Sequence, residues 1–183
     1  MMGKNMERNR KIKKNVLLIG FMGAGKTSVG RKLSWKLRIP VEDTDKLIEQ
    51  KAGKSISEIF ATEGEEAFRR METEELREIC KRPYHRILSV GGGTPVREEN
   101  RALLKKCGTV VYLRVKPETV WERLKEDTTR PLLNCEDPLA KIKELMAARK
   151  EAYENCADVI LDVDEMNVDD CANSLAQWLE ENA

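Results

Sequence analysis

A glycine-rich segment that ends in lysine and threonine constrains this chain more than any other feature. Residues 20–27 read Gly-Phe-Met-Gly-Ala-Gly-Lys-Thr and match the pattern G-x-x-x-x-G-K-[ST] at every fixed position. An apolar run, Val-Leu-Leu-Ile, precedes the segment at 16–19, and Val29, Leu33 and Leu37 follow it at helical spacing. The sequence therefore predicts a strand, a phosphate-binding turn and a helix, in that order.

The residue types in this turn suit the binding of a nucleoside triphosphate. Glycines allow backbone N–H groups to curve around a phosphate, and the following helix directs its positive dipole end at the same anion. Lys26 would place a positive charge near the β- and γ-phosphates, and the Thr27 hydroxyl would ligate Mg²⁺. A chance glycine-rich turn is the alternative, but the complete match and its flanks argue against it. The residues expected to bind the nucleotide are Gly23, Ala24, Gly25, Lys26, Thr27 and Ser28.

The composition indicates one globular domain with a modest core. The chain has 183 residues, of which 40% are hydrophobic and 36% are charged, and its net charge is +1. This balance gives no reason to expect nucleic acid or a membrane as a partner. No apolar run approaches the ~20 residues of a membrane span and no signal peptide is evident, so we expect a cytoplasmic protein. The cysteines show no metal-binding spacing and are expected to be reduced thiols.

Strand and helix patterns alternate along the chain. After the first strand, the predicted strands are 39–42, 87–90, 109–115 and 159–163, and helical patterns separate them. Such alternation predicts an α/β fold with a parallel sheet and helices on both faces. Residues 1–14 form a basic tail, which we expect to be a flexible terminus rather than an arm that binds nucleic acid.

Two carboxylates, Asp43 and Asp45, follow the second predicted strand. Residues two apart on an extended segment point the same way, and strand ends in an α/β sheet face the ligand crevice. One carboxylate could serve Mg²⁺ and the other a substrate hydroxyl, or an Asp or Thr44 could cap the next helix. Both roles can hold at once, and the spacing does not decide between them.

Four further features each allow two interpretations. The glycines at 91–93, which end the third strand, favour close approach of a ligand to the backbone or a sharp turn. Arg130 lies in a polar loop, as a lid arginine or a surface residue would. Arg149 shares a helical stripe with apolar residues, so it should have an anionic partner, either a structural carboxylate or a ligand. Arg69 lies amid acidic residues, which favours a structural surface charge.

Five separated motifs together resemble those of the shikimate kinases. They are the segment 20–27, Asp-Thr-Asp at 43–45, Gly-Glu-Glu-Ala-Phe-Arg at 64–69, Gly-Gly-Gly at 91–93 and Arg-Pro-Leu-Leu at 130–133, and Arg149 followed by Tyr153 continues the series. The resemblance extends from about residue 15 to the C-terminal helix.

The resemblance implies the fold of the nucleoside monophosphate kinases. This is a three-layer αβα fold with a five-stranded parallel sheet, so residues 1–183 would form a single P-loop kinase domain. A substrate-binding segment would extend over about 44–79 and a lid over about 125–136.

The resemblance also implies the reaction, which is transfer of the ATP γ-phosphoryl group to the 3-hydroxyl of shikimate with Mg²⁺ as cofactor. Asp45 would orient or deprotonate that hydroxyl, and Asp43 would hold Mg²⁺ through water beside Thr27. Arg130 would cover the transferring phosphate, and Arg123 would stack near adenine. The residues that would bind shikimate are Asp45, Phe60, Phe68, Arg69, Gly92, Gly93 and Arg149.

The expected partners are shikimate and ATP alone, and we expect a monomer. A different sugar-acid kinase, such as a gluconate kinase, would share the P-loop and the lid but should lack the other motifs in combination. A non-catalytic module that keeps the fold is the second alternative. The intact catalytic set argues against it, namely Lys26, Thr27, Asp43, Asp45 and Arg130.

Overall fold

The structure of the chain is a computed structural model. The structure describes residue 12 and residues 14–82, 85–127 and 134–182. Most of the predicted basic tail and the centre of the predicted lid, including Arg130, lie outside the described residues. Ile12 is buried in the core with 7% of its surface exposed.

Five parallel strands form one sheet in the described ranges. They are β1 (Asn15–Ile19), β2 (Val41–Asp43), β3 (Ile87–Ser89), β4 (Gly108–Arg114) and β5 (Val159–Asp162), in the order β2-β3-β1-β4-β5 across the sheet. The connection from β1 leads toward β2, whereas that from β3 leads to β4 on the opposite side. This reversal places a crevice at the carboxyl ends of β1 and β3. The predicted parallel α/β sheet is confirmed.

Eight α-helices accompany the sheet within the described ranges. They are α1 (Lys26–Leu37), α2 (Thr44–Ala52), α3 (Ile56–Glu63), α4 (Glu65–Lys81), α5 (Glu98–Cys107), α6 (Pro117–Leu124), α7 (Pro138–Cys156) and α8 (Val168–Asn182). α1 packs against α8, while α5 packs against α4 and α7. None of the helices in this part of the chain could cross a lipid bilayer.

Local sequence signals explain where several helices begin. The Ser55 hydroxyl accepts the Glu58 N–H at 3.2 Å and the Glu58 carboxylate accepts the Ser55 N–H at 2.6 Å, which is a capping box for α3. Asp137 caps α7 ahead of Pro138, and Asn167 accepts the N–H of Asp170 to cap α8.

Cys80 and Cys107 form a disulfide bond that joins the C-terminal ends of α4 and α5. Their Cα atoms are 4.9 Å apart, so the prediction that all the cysteines are reduced thiols is wrong for this pair. The two residues are 27 positions apart, and only the packing of α4 on α5 brings them together. The Cys156 and Cys171 thiols are free and buried, as small core residues are.

Candidate active site

The glycine-rich segment forms the turn between β1 and α1. Gly23 and Gly25 have φ angles of 77° and 93°, which glycine adopts readily and other residues rarely do. Lys26 begins α1 and donates from Nζ to the carbonyl oxygens of Gly20 at 2.8 Å and Phe21 at 3.0 Å. The ammonium group therefore lies across the turn, beside the N–H groups of the first helical turn.

Asp43 connects the end of β2 with both neighbouring helices. Its Oδ1 accepts the N–H groups of Asp45 at 3.0 Å and Lys46 at 3.3 Å, so Asp43 caps α2. Its Oδ2 accepts a hydrogen bond from Thr27 Oγ1 at 3.3 Å, and Thr27 Oγ1 is also 3.3 Å from Ser89 Oγ. The predicted cap is confirmed, and the second carboxylate oxygen faces the phosphate-binding turn.

Asp45 directs its carboxylate at the loop that follows β3. This loop contains the three glycines at 91–93 and is called the glycine loop below. Among the described residues its buried Oδ1 has no hydrogen-bond partner, and a β-carbon on Gly91 would lie 2.6 Å from that atom. Burial raises the pKa of Asp45 to about 6, and the charges of Asp43 and Glu72 act in the same direction. A carboxylate of this kind is suited to accept a proton from a substrate hydroxyl near neutral pH.

Arg69 extends from α4 over the same loop. Its Nη1 donates to Glu72 at 2.8 Å and its Nη2 to Glu65 at 3.0 Å, so it has the ion pairs that a structural arginine would have. Its guanidinium also lies 5.5 Å from the centre of the Phe68 ring. A β-carbon on Gly93 would be only 2.7 Å from Arg69 Cζ. The guanidinium is therefore paired and at the same time faces the glycine loop.

Arg149 approaches the loop from α7. Its guanidinium carbon lies 5.6 Å from the centre of the Phe21 ring, and a β-carbon on Gly92 would be 3.7 Å from its Nη1. The side chain is half-buried, in agreement with its predicted inward position. Within the described part of the chain, no carboxylate lies within ion-pair distance of Arg149. Of the two predicted partners, the structural carboxylate is thus not found there.

A buried carboxylate, Glu72, completes the cluster, although the sequence interpretation did not single it out. Only 2% of Glu72 is exposed, and its Oε1 accepts a hydrogen bond from Thr94 Oγ1 at 2.6 Å while its Oε2 accepts from Arg69. Glu72 therefore joins Arg69 to the end of the glycine loop. Its position three residues after Arg69 on a predicted helix is a signal that could have identified it.

The remaining predicted residues occupy different surroundings. The rings of Phe60 and Phe68 are 5.1 Å apart; Phe68 is buried, whereas Phe60 is 38% exposed. Arg123 donates from Nη1 to the Gly23 carbonyl oxygen at 2.8 Å, which places it beside the phosphate-binding turn. Arg130 lies outside the described residues, so its role stays a prediction.

Comparison with known proteins identifies the family. The family model described as shikimate kinase matches residues 22–180. The chain belongs to the shikimate kinase family. A shikimate kinase of Neisseria gonorrhoeae is 50% identical over 143 residues, which cover 78% of this chain and 84% of that protein. A shikimate kinase of Thioalkalivibrio sulfidiphilus is 40% identical over 168 residues, covering 92% and 88% of the two chains.

Comparison of the fold with solved structures indicates the same family. The shikimate kinase of Acinetobacter baumannii in complex with shikimate superposes with a TM-score of 0.88 at 37% identity, covering 94% of this chain and 96% of that one. A gluconokinase from Sinorhizobium meliloti has a TM-score of 0.59 at 16% identity, covering 94% and 97%, and shows the fold alone. The predicted P-loop kinase fold and the predicted shikimate kinase function are both confirmed, and the chain is an enzyme.

Proposed function

We propose that this shikimate kinase transfers the γ-phosphoryl group of ATP to the 3-hydroxyl of shikimate, which gives shikimate 3-phosphate and ADP. The observation that supports the proposal most is the convergence of Asp45, Arg69 and Arg149 on the glycine loop after β3. This loop lies next to the phosphate-binding turn, because β3 and β1 are paired neighbours in the sheet. The crevice thus offers a proton acceptor and two cations to a small acid that carries hydroxyl groups.

The carboxylate of shikimate would bind between Arg69 and Arg149. A guanidinium presents a planar fork of donors, which matches the two oxygens of a carboxylate better than an ammonium does. Arg149 has no carboxylate at ion-pair distance within the described ranges, so a substrate carboxylate would supply its anion. Gly92 and Gly93 would close on the ring through their backbone, and Phe60 and Phe68 would form apolar walls.

Asp45 would hold the hydroxyl that is phosphorylated. Its buried Oδ1, which has no hydrogen-bond partner among the described residues, is the acceptor that such a hydroxyl needs. With its pKa raised to about 6, Asp45 is largely ionised at neutral pH and is basic enough to take the proton as the new O–P bond forms.

The oxygen atoms at the end of β2 and the start of α1 fit Mg²⁺. Thr27 Oγ1 and Asp43 Oδ2 are 3.3 Å apart, and both are hard oxygen ligands. The described residues contain no cluster of three His, Cys, Asp or Glu side chains, and Mg²⁺ in kinases needs only one or two protein oxygens besides water and phosphate. Thr27 would ligate the ion directly and Asp43 through water. When bound, Mg²⁺ would neutralise charge on the β- and γ-phosphates.

The rest of the catalysis would be positioning and charge neutralisation. Lys26 would move its ammonium onto the β- and γ-phosphates, which residues 23–28 would bind, while Arg123 would stack near the adenine. Arg130 would cover the transferring phosphate from a lid over about 125–136 and exclude water, so that ATP is not hydrolysed. The substrate-binding segment would extend over about 44–79.

We further propose that the protein works as a monomer in the cytoplasm, with shikimate and ATP as its partners. A disulfide bond is uncommon in that compartment. Thiol labelling of Cys80 and Cys107 in freshly lysed cells therefore tests the cytoplasmic assignment. Reduced thiols would support it, and a disulfide bond would argue against it.

The deciding experiment measures ADP release from MgATP with shikimate, quinate or gluconate as acceptor at equal concentration. We expect release that depends on shikimate. Release with gluconate instead would contradict the roles given to Asp45, Arg69 and Arg149. A folded protein that binds ATP but releases ADP with none of the three acceptors would be a non-catalytic module.

A further inference from the structure

The carbonyl oxygen of Gly92 accepts a hydrogen bond from the hydroxyl of Tyr153, a residue of α7 that has no part in the reaction proposed above. The donor and acceptor oxygens are 2.5 Å apart, and only 1% of Tyr153 is exposed. The Tyr153 ring packs against Tyr112 of β4, with the ring centres 5.1 Å apart. The hydrogen bond therefore joins α7 to the glycine loop in a buried position, with the phenol ring packed in place.

Tyr153 lies one helical turn after Arg149, so the two side chains share a face of α7. Gly92 is also the loop residue nearest to Arg149, because a β-carbon placed there would be 3.7 Å from Arg149 Nη1. Burial raises the pKa of the Tyr153 phenol, and Arg149, through its charge and a hydrogen bond, acts in the opposite direction. Gly92 is thus in contact with the phenol of Tyr153 and lies next to the guanidinium of Arg149.

Two other backbone groups in and just after the glycine loop are held by different helices. Thr44 Oγ1 on α2 accepts the N–H of Gly91 at 3.1 Å, and Asn100 Nδ2 on α5 donates to the Thr94 carbonyl oxygen at 2.9 Å. Thr44 directly precedes Asp45. Helices α2 and α7, which present Asp45 and Arg149 to the loop, therefore each also have a direct hydrogen bond with its backbone, and Tyr153 makes that bond for α7.

We propose that Tyr153 is a positioning residue for recognition of the substrate carboxylate, because its hydrogen bond to Gly92 fixes the distance between Arg149 and the glycine loop. The inference rests on the proposed function, since it assigns the carboxylate of shikimate to Arg149. Without the hydroxyl, α7 keeps its apolar packing but loses its polar contact with Gly92. Arg149 then samples positions from which its fork of donors no longer matches the carboxylate.

The test is the substitution Tyr153→Phe, which removes one oxygen and retains the ring that packs against Tyr112. We expect the KM and the Kd for shikimate to rise about five- to tenfold, the effect of one buried hydrogen bond, while kcat and the KM for ATP change less than about twofold. Tyr112→Phe is the matched control, since it makes the same change in the adjacent ring. We expect it to leave the KM for shikimate unaltered.

A double-substitution cycle separates positioning from a general loss of stability. If Tyr153 acts through Arg149, Tyr153→Phe should change the KM for shikimate by less than about twofold in an Arg149→Lys background. Additive effects, equal rises of both KM values, an unchanged KM for shikimate or an equal effect of Tyr112→Phe would each overturn the proposal. If Tyr153→Phe unfolds at the assay temperature, calorimetric titration with shikimate in the cold applies the same criterion.

The proposed function and this role of Tyr153 fail in different ways. A wild-type protein with no shikimate-dependent ADP release would overturn the function and, with it, the assignment to Tyr153. A wild-type protein that phosphorylates shikimate while Tyr153→Phe binds it equally well would overturn the role of Tyr153 alone.

Discussion

The guanidinium of Arg69 occupies the space that a side chain on Gly93 would need. A β-carbon on Gly93 would lie 2.7 Å from Arg69 Cζ, which is closer than such atoms approach in real proteins. The φ angle of Gly93 is −88°, an ordinary value for any residue. A side chain at position 93 therefore fits only if Arg69 moves, so the observed position of Arg69 requires glycine here.

Gly93→Ala should displace Arg69 and weaken shikimate binding. Because a charged hydrogen-bonded contact would be lost, we expect the KM for shikimate to rise by about tenfold or more and the KM for ATP to stay within about twofold. Gly92→Ala is the comparison, since its β-carbon would meet its nearest atom, the Gly20 carbonyl oxygen, at 3.4 Å. Steady-state kinetics that show equal effects of the two substitutions would contradict the steric argument.

Asp45→Asn should nearly abolish turnover and stabilise the fold. The substitution removes the proton acceptor, which should lower kcat by about two orders of magnitude or more. It also removes a carboxylate that burial disfavours in its ionised form, with a pKa of about 6 against 3.8. At neutral pH the free energy of unfolding should increase by up to about 3 kcal/mol. Denaturant unfolding of both proteins, together with the ADP assay, checks the two changes.

The titration of Asp45 should also appear in the pH dependence of the stability and of the kcat/KM of the wild-type protein. Between pH 3.8 and about 6 the folded state binds the Asp45 proton and the unfolded state has lost it, so the contribution of Asp45 to stability falls as pH rises through this range. Above that range the contribution is constant. The value of kcat/KM should rise with an inflection near pH 6 as Asp45 ionises, and Asp45→Asn should lack this limb. An inflection that persists in Asp45→Asn belongs to another group.

Lys26→Met should remove turnover and leave the protein folded. The ammonium lies across the predicted phosphate-binding turn, where it donates to the carbonyl oxygens of Gly20 and Phe21. Loss of such a charge in a phosphoryl-transfer site should reduce kcat by about three orders of magnitude. A circular dichroism spectrum like that of the wild type is the control. Activity close to the wild-type level would contradict the assignment of the phosphate-binding turn.

Reduction of the Cys80–Cys107 disulfide should lower stability. The bond closes a loop of 27 residues, and loss of such a cross-link costs about 3 to 4 kcal/mol in the chain-entropy model. The unfolding midpoint of the wild type should therefore fall when a thiol reductant is added. The variant Cys80→Ala/Cys107→Ala should start from the lower midpoint and be insensitive to reductant. A wild-type midpoint that does not move would contradict the stabilising role of the bond.

The sequence was sufficient to predict the sheet, because strand and helix signals are local. Apolar runs and turn residues located all five strands, although the boundaries shifted by one or two residues. The second strand was predicted at 39–42 and is observed at Val41–Asp43, since its pairing with β3 begins where Val41 aligns with Ile87. Pro40 contributes no N–H to a ladder, which is consistent with the later start.

Contacts between distant parts of the chain could not be predicted in the same way. Arg86 is fully buried and pairs with Glu42 at 2.5 Å, although 44 positions separate them and charged residues are usually exposed. The Glu72–Thr94 contact and the disulfide likewise depend on how α4 packs. Arg69 could be placed on a helix from its pattern, but the binding role predicted for it came only from the resemblance to a family.

The three glycines after β3 would be among the most mobile residues of an isolated peptide. In the folded protein, Thr44 accepts the N–H of Gly91 and Tyr153 donates to the carbonyl oxygen of Gly92, so the loop is ordered and the Gly91 N–H should exchange slowly with deuterium. The entropy lost in ordering the glycines is incurred during folding. In the proposed function, shikimate would bind to a backbone that is already fixed, and more of the free energy of its contacts would remain available as affinity.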